Sequence, residues 1–263
     1  MALGRRGLRA VPAVWDDPAV RWESARACAI RSTWDYHLRP REFLAWIQRV
    51  SALCPLWNSP NLIRWNIDKS YLRKLAGRGA PVVPTLSFER GATFDLAAEA
   101  RRRGWRRAVV KPSIGLATFD VRAFSFPAEA QEGQAHADAL AGRGAVLVQP
   151  YLDSVEDYGE RAFIFIDGSY SHAVRKTRFQ ALLPAGEAGE MAIEATSDEI
   201  ATAKAISAMI PEPALYARID LVRDDAGRSV LLELELIEPS LFFGMHPPAA
   251  ERFAEAIERR LRS

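Results

Sequence analysis

Apolar positions recur along the chain with two periods, and these mark out its elements. The runs Tyr216 to Arg223 and Ser229 to Glu238 flank the polar stretch Asp224-Asp225-Ala226-Gly227, a pattern that predicts a β-hairpin. Side chains alternate across a strand, so Arg218 and Asp220 share one face of the first strand and Glu233 and Glu235 share one face of the second. Leu232, Leu234 and Leu236 are expected to point the other way, into a core. Registering the strands about the turn can place one arginine and three carboxylates on a common surface. That surface is either a solvated sheet face or an oxygen-ligand site for a hard cation, with an arginine beside it for an anion.

The other elements follow in order. Leu3 to Ala10 reads as the end of a helix, and Val11 to Trp15 and Ala27 to Ile30 as short strands. Pro40 opens a helix with Phe43, Ile47, Val50 and Cys54 on one face. Asn58 to Trp65 is a connection; a helix over Asn66 to Arg78 then carries Asp68-Lys69 in its first turn and closes at Gly79. Strands are expected at Ala80 to Thr85, Ala108 to Pro112, Val121 to Phe124 and Ala145 to Leu152, with helices at Ala92 to Arg103 and Pro127 to Ala141. A hairpin turns at Asp167-Gly168 between Ala162 to Ile166 and Tyr170 to Lys176, and Thr177 to Glu190 reads as a mobile loop. Thr196 to Glu199 is a capping box for a helix, and Pro248 to Arg262 is a last helix burying Phe253, Ile257 and Leu261. A β/α domain ordinarily begins with a strand before its first helix. That strand is missing, so the N-terminal domain is expected to be abbreviated or the start to lie further upstream.

Composition narrows the classes. With 263 residues, 49% hydrophobic and 26% charged, the chain has the make-up of an ordinary globular protein of one or two domains. A net charge of +2 gives no reason to invoke a nucleic-acid or membrane surface, and no apolar run reaches membrane-spanning length. The N-terminus lacks a signal-peptide core, so the cytoplasm is the expected location. Cys28 and Cys54 make no metal spacing and read as core thiols; four histidines offer no zinc set, and no Ser/His/Asp or Cys/His arrangement is visible.

Three stretches carry candidate chemistry besides the hairpin. Lys111 follows three apolar residues, a position that is expensive to bury without an anionic partner. Ser113 to Asp120, with Gly115, reads as a loop whose backbone N–H groups can lie over phosphates. Pro150 interrupts the end of its strand, and unpaired backbone groups there can hydrogen-bond a purine edge. Arg31, Trp34, Asp35 and Tyr36 follow a strand's C-terminal end, where open α/β sheets bind ligands.

The ordered set Asp68-Lys69, Gly79-Ala80-Pro81, Val110-Lys111-Pro112, Gln149-Pro150-Tyr151, Gly159-Glu160-Arg161, Arg218-x-Asp220 and Glu233-x-Glu235 resembles the ATP-grasp superfamily of carboxylate–amine ligases. The likeness spans roughly Asn66 to Pro239. More narrowly, Arg31 to His37 together with Leu232 to Pro239 looks like the branch that contains the ATP-grasp enzyme of D-cycloserine biosynthesis. The resemblance implies an α/β (α+β) fold with nucleotide held between two α+β subdomains. The expected domains are a small α/β unit over 1–65, a first ATP-grasp subdomain over 66–142, and a second over 143–263 bearing the metal-binding hairpin.

It also implies roles. Lys69 and Lys111 would contact ATP phosphates, Gln149, Tyr151 and Leu152 would lie along adenine, and Asp153 or Glu156 would hold the ribose. Glu160 and Lys176 would line the nucleotide pocket, while Asp220, Glu233 and Glu235 would hold two Mg²⁺ ions. Arg218, with Lys111, would act on the transferred phosphate, and Arg31, Trp34, Asp35, Tyr36 and Glu238 would meet the substrate. The chain departs from the pattern where Glu235 replaces the usual metal-binding Asn, a role Glu238 could share, and where the phosphate loop lacks glycines. The expected activity is ATP- and Mg²⁺-dependent C–N bond formation at a carboxylate of an amino-acid-like small molecule, with ring closure within one molecule as one form. A small-molecule kinase and a catalytically silent nucleotide-binding scaffold are the alternatives. Partners are a small acid and an amine, with self-association as a homodimer left open.

Overall fold

The computed structural model describes residues 2–116, 118–176 and 189–262. The part of the expected Thr177 to Glu190 loop that runs over 177–188 lies outside the described residues.

The N-terminal third combines short helices with long irregular stretches and only two short strands. It holds α1 (Ala2–Arg5), β1 (Cys28–Ala29), α2 (Pro40–Ser51), β2 (Leu56–Trp57), α3 (Pro60–Asn66) and α4 (Tyr71–Gly77). β1 and β2 pair in parallel. Val11 to Trp15 is not a strand; Trp15 is instead a buried knob, edge-on to Phe43 at 5.5 Å in a cluster with Trp46 and Ile47. Asn58 to Trp65 is largely helix rather than connection, because Ser59 caps the backbone N–H of Leu62 and Pro60 fits the first turn. The expected helix from Asn66 is broken at 67–70. The Asp68 carboxylate accepts from the Ser70 backbone N–H at 2.8 Å and from Ser113 Oγ at 2.9 Å, so this side chain bonds away from a helical path.

A four-stranded antiparallel sheet follows, built from β3 (Leu86–Phe88), β4 (Arg107–Pro112), β5 (Arg122–Ser125) and β6 (Val146–Pro150) in the order β3-β6-β4-β5. α5 (Leu96–Arg102) and α6 (Ala130–Arg143) cover one face through Leu96, Ala137 and Leu140. Ala80 to Thr85, with Pro81 and Pro84 interrupting its N–H groups, makes only one isolated bridge, Val82 to Leu231.

The third part contains α7 (Ser154–Asp157), β7 (Glu160–Ile166), β8 (Ser169–Lys176), β9 (Glu190–Ile193), α8 (Ser197–Ser207), β10 (Tyr216–Arg223), β11 (Ser229–Glu235) and α9 (Pro248–Arg262). Its five strands run antiparallel in the order β11-β10-β7-β8-β9. One face packs on α4 and α8 through Leu72, Leu75, Phe163, Ala203, Ile206, Ile219 and Leu234. On the other, α9 covers Ile164, Ile166 and Tyr216 with Ala249, Phe253 and Ala256, while Ile257 and Leu261 are half-buried. Polar side chains occupy the rest of that second face.

The capping box is present, with Thr196 and Glu199 each bonding the other's backbone N–H. β10 and β11 form the predicted hairpin with one irregularity. The register slips between Asp220 and Leu221, where Leu221 faces Leu231 and Asp220 faces Glu233, leaving Leu232 as the extra residue of a bulge. Leu231, not Leu232, therefore joins Leu234 and Leu236 in the core, and Leu232 packs beside Val222 and Val230.

Candidate active site

The hairpin brings its polar residues together as alternation requires. Arg218 lies opposite Glu235 and Asp220 opposite Glu233. Arg218 Nε donates to Asp220 Oδ1 at 2.9 Å, and its Nη2 donates to Asp220 Oδ2 at 2.8 Å and also to Glu235. From the end of β8, Lys176 reaches Asp220 at 2.8 Å and ion-pairs with Glu160, its neighbour across the ladder. Lys69 sits in the link between α3 and α4, 3.2 Å from Glu233, and donates to the Gly115 carbonyl at 2.6 Å. Its backbone N–H donates to the Ser113 carbonyl at 2.9 Å, so residues 113–115 are docked against 68–69.

Burial would raise every carboxyl here, and the cations decide the outcome. At Asp220, Arg218 and Lys176 outweigh burial and hold the carboxyl below its usual range. Lys69 and Lys111 do the same for Glu233. At Glu235 burial wins, helped by Asp220 and Glu233, and its pKa is pushed up to about 6 against the pull of Arg218. Glu160 goes up to about 7 by burial and Asp220, with Lys176 opposing. Lys111 is 7% exposed, and burial lowers its pKa. No carboxylate lies within ion-pair distance of it among the described residues.

The nucleotide-side residues are occupied with one another. Gln149 donates to Thr85 Oγ1 at 2.8 Å, and the Tyr151 hydroxyl donates to Glu156 at 2.6 Å. The Arg107 guanidinium lies 3.6 Å over the Tyr151 ring, 3.4 Å from Asp153 and 3.5 Å from Glu156. Leu152 packs with Val83, Val222 and Val230, joining the end of β6 to the hairpin's turn.

Of the expected substrate residues, the structure gathers some and not others. Tyr36 is buried, stacked on Phe43 at 5.0 Å, and lines a narrow cavity with Lys69, Tyr71, Glu233, Glu235 and Glu238. Arg31 lies 5.1 Å over the Tyr216 ring and donates to the Pro239 carbonyl at 2.9 Å. Trp34 is 60% exposed, and Asp35 accepts from Trp15 Nε1 at 2.9 Å and pairs with Arg39, which turns it away from the cavity.

Two residues that position the site escaped the sequence. Asn66 donates to the Leu234 carbonyl at 2.8 Å and accepts from the Leu236 N–H at 2.9 Å, holding the strand of Glu233 and Glu235 by its free edge. Asn58 clasps Leu215, Tyr216 and Leu236 in the same way. Their only signal was an amide set among apolar neighbours.

An antiparallel sheet and a mixed-charge hairpin, with a loop docked over a lysine, are the arrangement expected of an ATP-grasp ligase, and comparison with known proteins shows that family. Residues 1–58 match the family described as D-cycloserine synthetase DcsG, N-terminal domain. The cycloserine biosynthesis protein DcsG of Streptomyces lavendulae is 35% identical, over 97% of this chain and 90% of its own. A crystal structure of D-cycloserine synthetase DcsG superposes with a TM-score of 0.89 at 36% identity, covering 99% of this chain and 92% of the other. The ATP-grasp ligase PsnB complexed with minimal precursor shares the fold, at a TM-score of 0.67, 18% identity and coverage of 98% and 93%. The chain belongs to the DcsG family of ATP-grasp ligases.

Proposed function

We propose that the protein uses ATP and Mg²⁺ to form a C–N bond at the carboxylate of an amino-acid-like small molecule through an acylphosphate, with ring closure within one substrate molecule as one form of the reaction. The observation that carries this reading is the hairpin face on which Arg218, Lys176 and Lys69 each hold a carboxylate, with Lys111 left beside them unmatched. Relatives support the cofactors: one PsnB structure is complexed with Mg and ADP, and a D-alanine–D-alanine ligase from Bacillus anthracis with ATP.

The residues fit a magnesium site by their chemistry. Among the described residues no three His, Cys, Asp or Glu side chains converge as a ready-made cage. Mg²⁺ does not require one, since it is held by one or two carboxylates together with phosphate oxygens and water. Burial and neighbouring carboxylates raise Glu235 and Glu160 even beside Arg218 and Lys176, so a divalent cation there would favour their ionised forms. Glu233 and Glu235 would hold the metal, with Asp220 contributing behind its Arg218 and Lys176 pairs. Magnesium held there would supply neutralisation of the phosphate charge.

The side chains then have separable tasks. Lys69 and Lys111 bind phosphate oxygens, and Lys69 keeps the 113–115 loop closed over them. The backbone of Gln149 to Leu152 lies along adenine, while Asp153 or Glu156 takes the ribose hydroxyls and Lys176 and Glu160 line the pocket. Arg218 orients the substrate carboxylate, whose oxygen attacks the γ-phosphorus as the bond to ADP breaks. An amine nitrogen then attacks the acyl carbon, phosphate leaves, and the nitrogen loses a proton. Arg218 stays in place to stabilise the adduct's oxyanion.

Trapping tests the acylphosphate. Incubation with ATP, Mg²⁺, pooled small amino acids and hydroxylamine is expected to yield an acyl hydroxamate in step with ADP. A stable phosphorylated product that forms without any amine would instead indicate a kinase.

A further inference from the structure

One buried acid at this site has no partner. Glu238 stands three residues beyond β11, is 4% exposed, and makes no hydrogen bond or ion pair among the described residues. It lines the same narrow cavity as Tyr36, Lys69, Glu233 and Glu235. Lys69 meets Glu233 and Arg218 meets Glu235, so the carboxyl left without a cation in this cavity is that of Glu238. An isolated buried carboxylate is costly, and nothing in the packing of the hairpin calls for one here. Burial and the neighbouring Glu235 hold its pKa well above the usual range.

The N-terminal wall of the site is polar in a complementary way. Arg31 spends Nη2 on the Pro239 carbonyl but keeps Nη1 buried and unpartnered, and it stops short of ion-pair distance from Glu238. Arg218 on β10 supplies the anchor for a substrate carboxylate, and Glu238, just past the end of β11, supplies an unpaired buried carboxyl.

We propose that Glu238 binds the substrate's primary ammonium group, so that the pocket selects a zwitterion whose carboxylate lies at Arg218 and whose ammonium enters the cavity beside Tyr36. The assignment rests on the ligase reading above and makes that reading's substrate doubly charged. A charge-assisted hydrogen bond in a cavity shielded from water discriminates strongly between an amine and the same molecule without it.

Calorimetric binding with two ring probes tests it without turnover. D-cycloserine carries a primary amine; isoxazolidin-3-one is the same ring lacking that amine. With ADP and Mg²⁺ present, the wild-type protein is expected to bind D-cycloserine about tenfold or more tightly than the bare ring. Glu238→Gln is expected to erase that preference and leave affinity for the bare ring unchanged. Because the Gln variant removes an unpaired buried carboxyl, its melting temperature is expected to be unchanged or higher, which separates lost recognition from lost fold. Equal affinity of the wild-type protein for both rings, binding of neither, or a preference that survives Glu238→Gln overturns the proposal. ATP binding is measured on the same samples: its absence in the wild-type protein overturns the ligase reading instead.

Discussion

Lys111 occupies a 7%-exposed position on β4 with no carboxylate in ion-pair range among the described residues, so its charge weakens the resting protein until an anion arrives. Lys111→Met is expected to leave the melting temperature unchanged or raise it, while ATP affinity falls about tenfold or more; calorimetry and thermal unfolding read the two effects separately. A structural lysine would show the opposite pattern. His172 makes a second residue-scale case, packed against His246 at 4.8 Å beside Ser171 and Arg252. Burial and His246 depress its pKa to about 4 from 6.5. Between those values the unfolded chain binds a proton that the folded chain refuses, so stability falls as pH drops through this window, by up to about 3 kcal/mol. Glu160 and Glu235 work in the opposite direction over an overlapping range, so the clean readout is a comparison. Acidification from pH 6.5 to 4.5 is expected to lower the melting temperature of His172→Gln less than that of the wild-type protein. At this scale the sequence was most legible where a charged residue broke an apolar run, as at Lys111, Arg218 and Asp220. Asn58 and Asn66 stayed hidden because their partners lie on strands more than 150 residues away, and an amide carries no periodicity.

The hairpin of β10 and β11 carries the chemistry, and its facing was readable from alternation alone. What alternation could not register was the bulge at Leu232, which exchanges Leu231 for Leu232 in the core yet leaves Glu233 and Glu235 on the side of Arg218 and Asp220. The break between α3 and α4 was hidden for a related reason. Apolar spacing continues through Ile67, and the side-chain bonds of Asp68 that end the helix depend on Ser113, which only the tertiary fold supplies. β11 is held on its free edge by Asn66 and by the Tyr71 hydroxyl, which accepts from the Leu234 N–H at 3.0 Å. Asn66→Leu strands a buried N–H and a buried C=O at once. It is expected to cost about 2–5 kcal/mol in denaturant unfolding and to weaken Mg²⁺-dependent ATP binding with it. An unchanged unfolding midpoint would mean that the strand is held by its sheet partners alone.

At the scale of the molecule, the site lies where separate cores meet. The four-stranded sheet delivers Lys111, the five-stranded sheet delivers Lys176, Arg218 and the carboxylates, and the N-terminal third delivers Tyr36 and Arg31. Tyr216 ties two of these together, its hydroxyl lying 2.6 Å from the Ile30 carbonyl and 2.8 Å from that of Ile237. Several of the ordered motifs sit at the end of a strand or in a link, as Lys69, Lys111 and Lys176 do, while Arg218, Asp220 and Glu233 reach the site from within the hairpin strands. The expected loop sequence after Lys111 was thin in glycine, and the structure shows a compensating device, since Lys69 clamps that loop by both its backbone N–H and its ammonium.

The most direct measurement is ADP release by the purified protein with ATP, Mg²⁺ and a pool of amino acids and hydroxamate-type acids, run beside Glu233→Gln. Glu233 is held by Lys69 on the hairpin face, so the Gln variant keeps the shape and removes one charge. ADP release that requires the pool and falls by about a hundredfold or more in Glu233→Gln is the expected result. Pool-stimulated release that is undiminished in the variant would contradict the assignment of the hairpin as the phosphate and metal site.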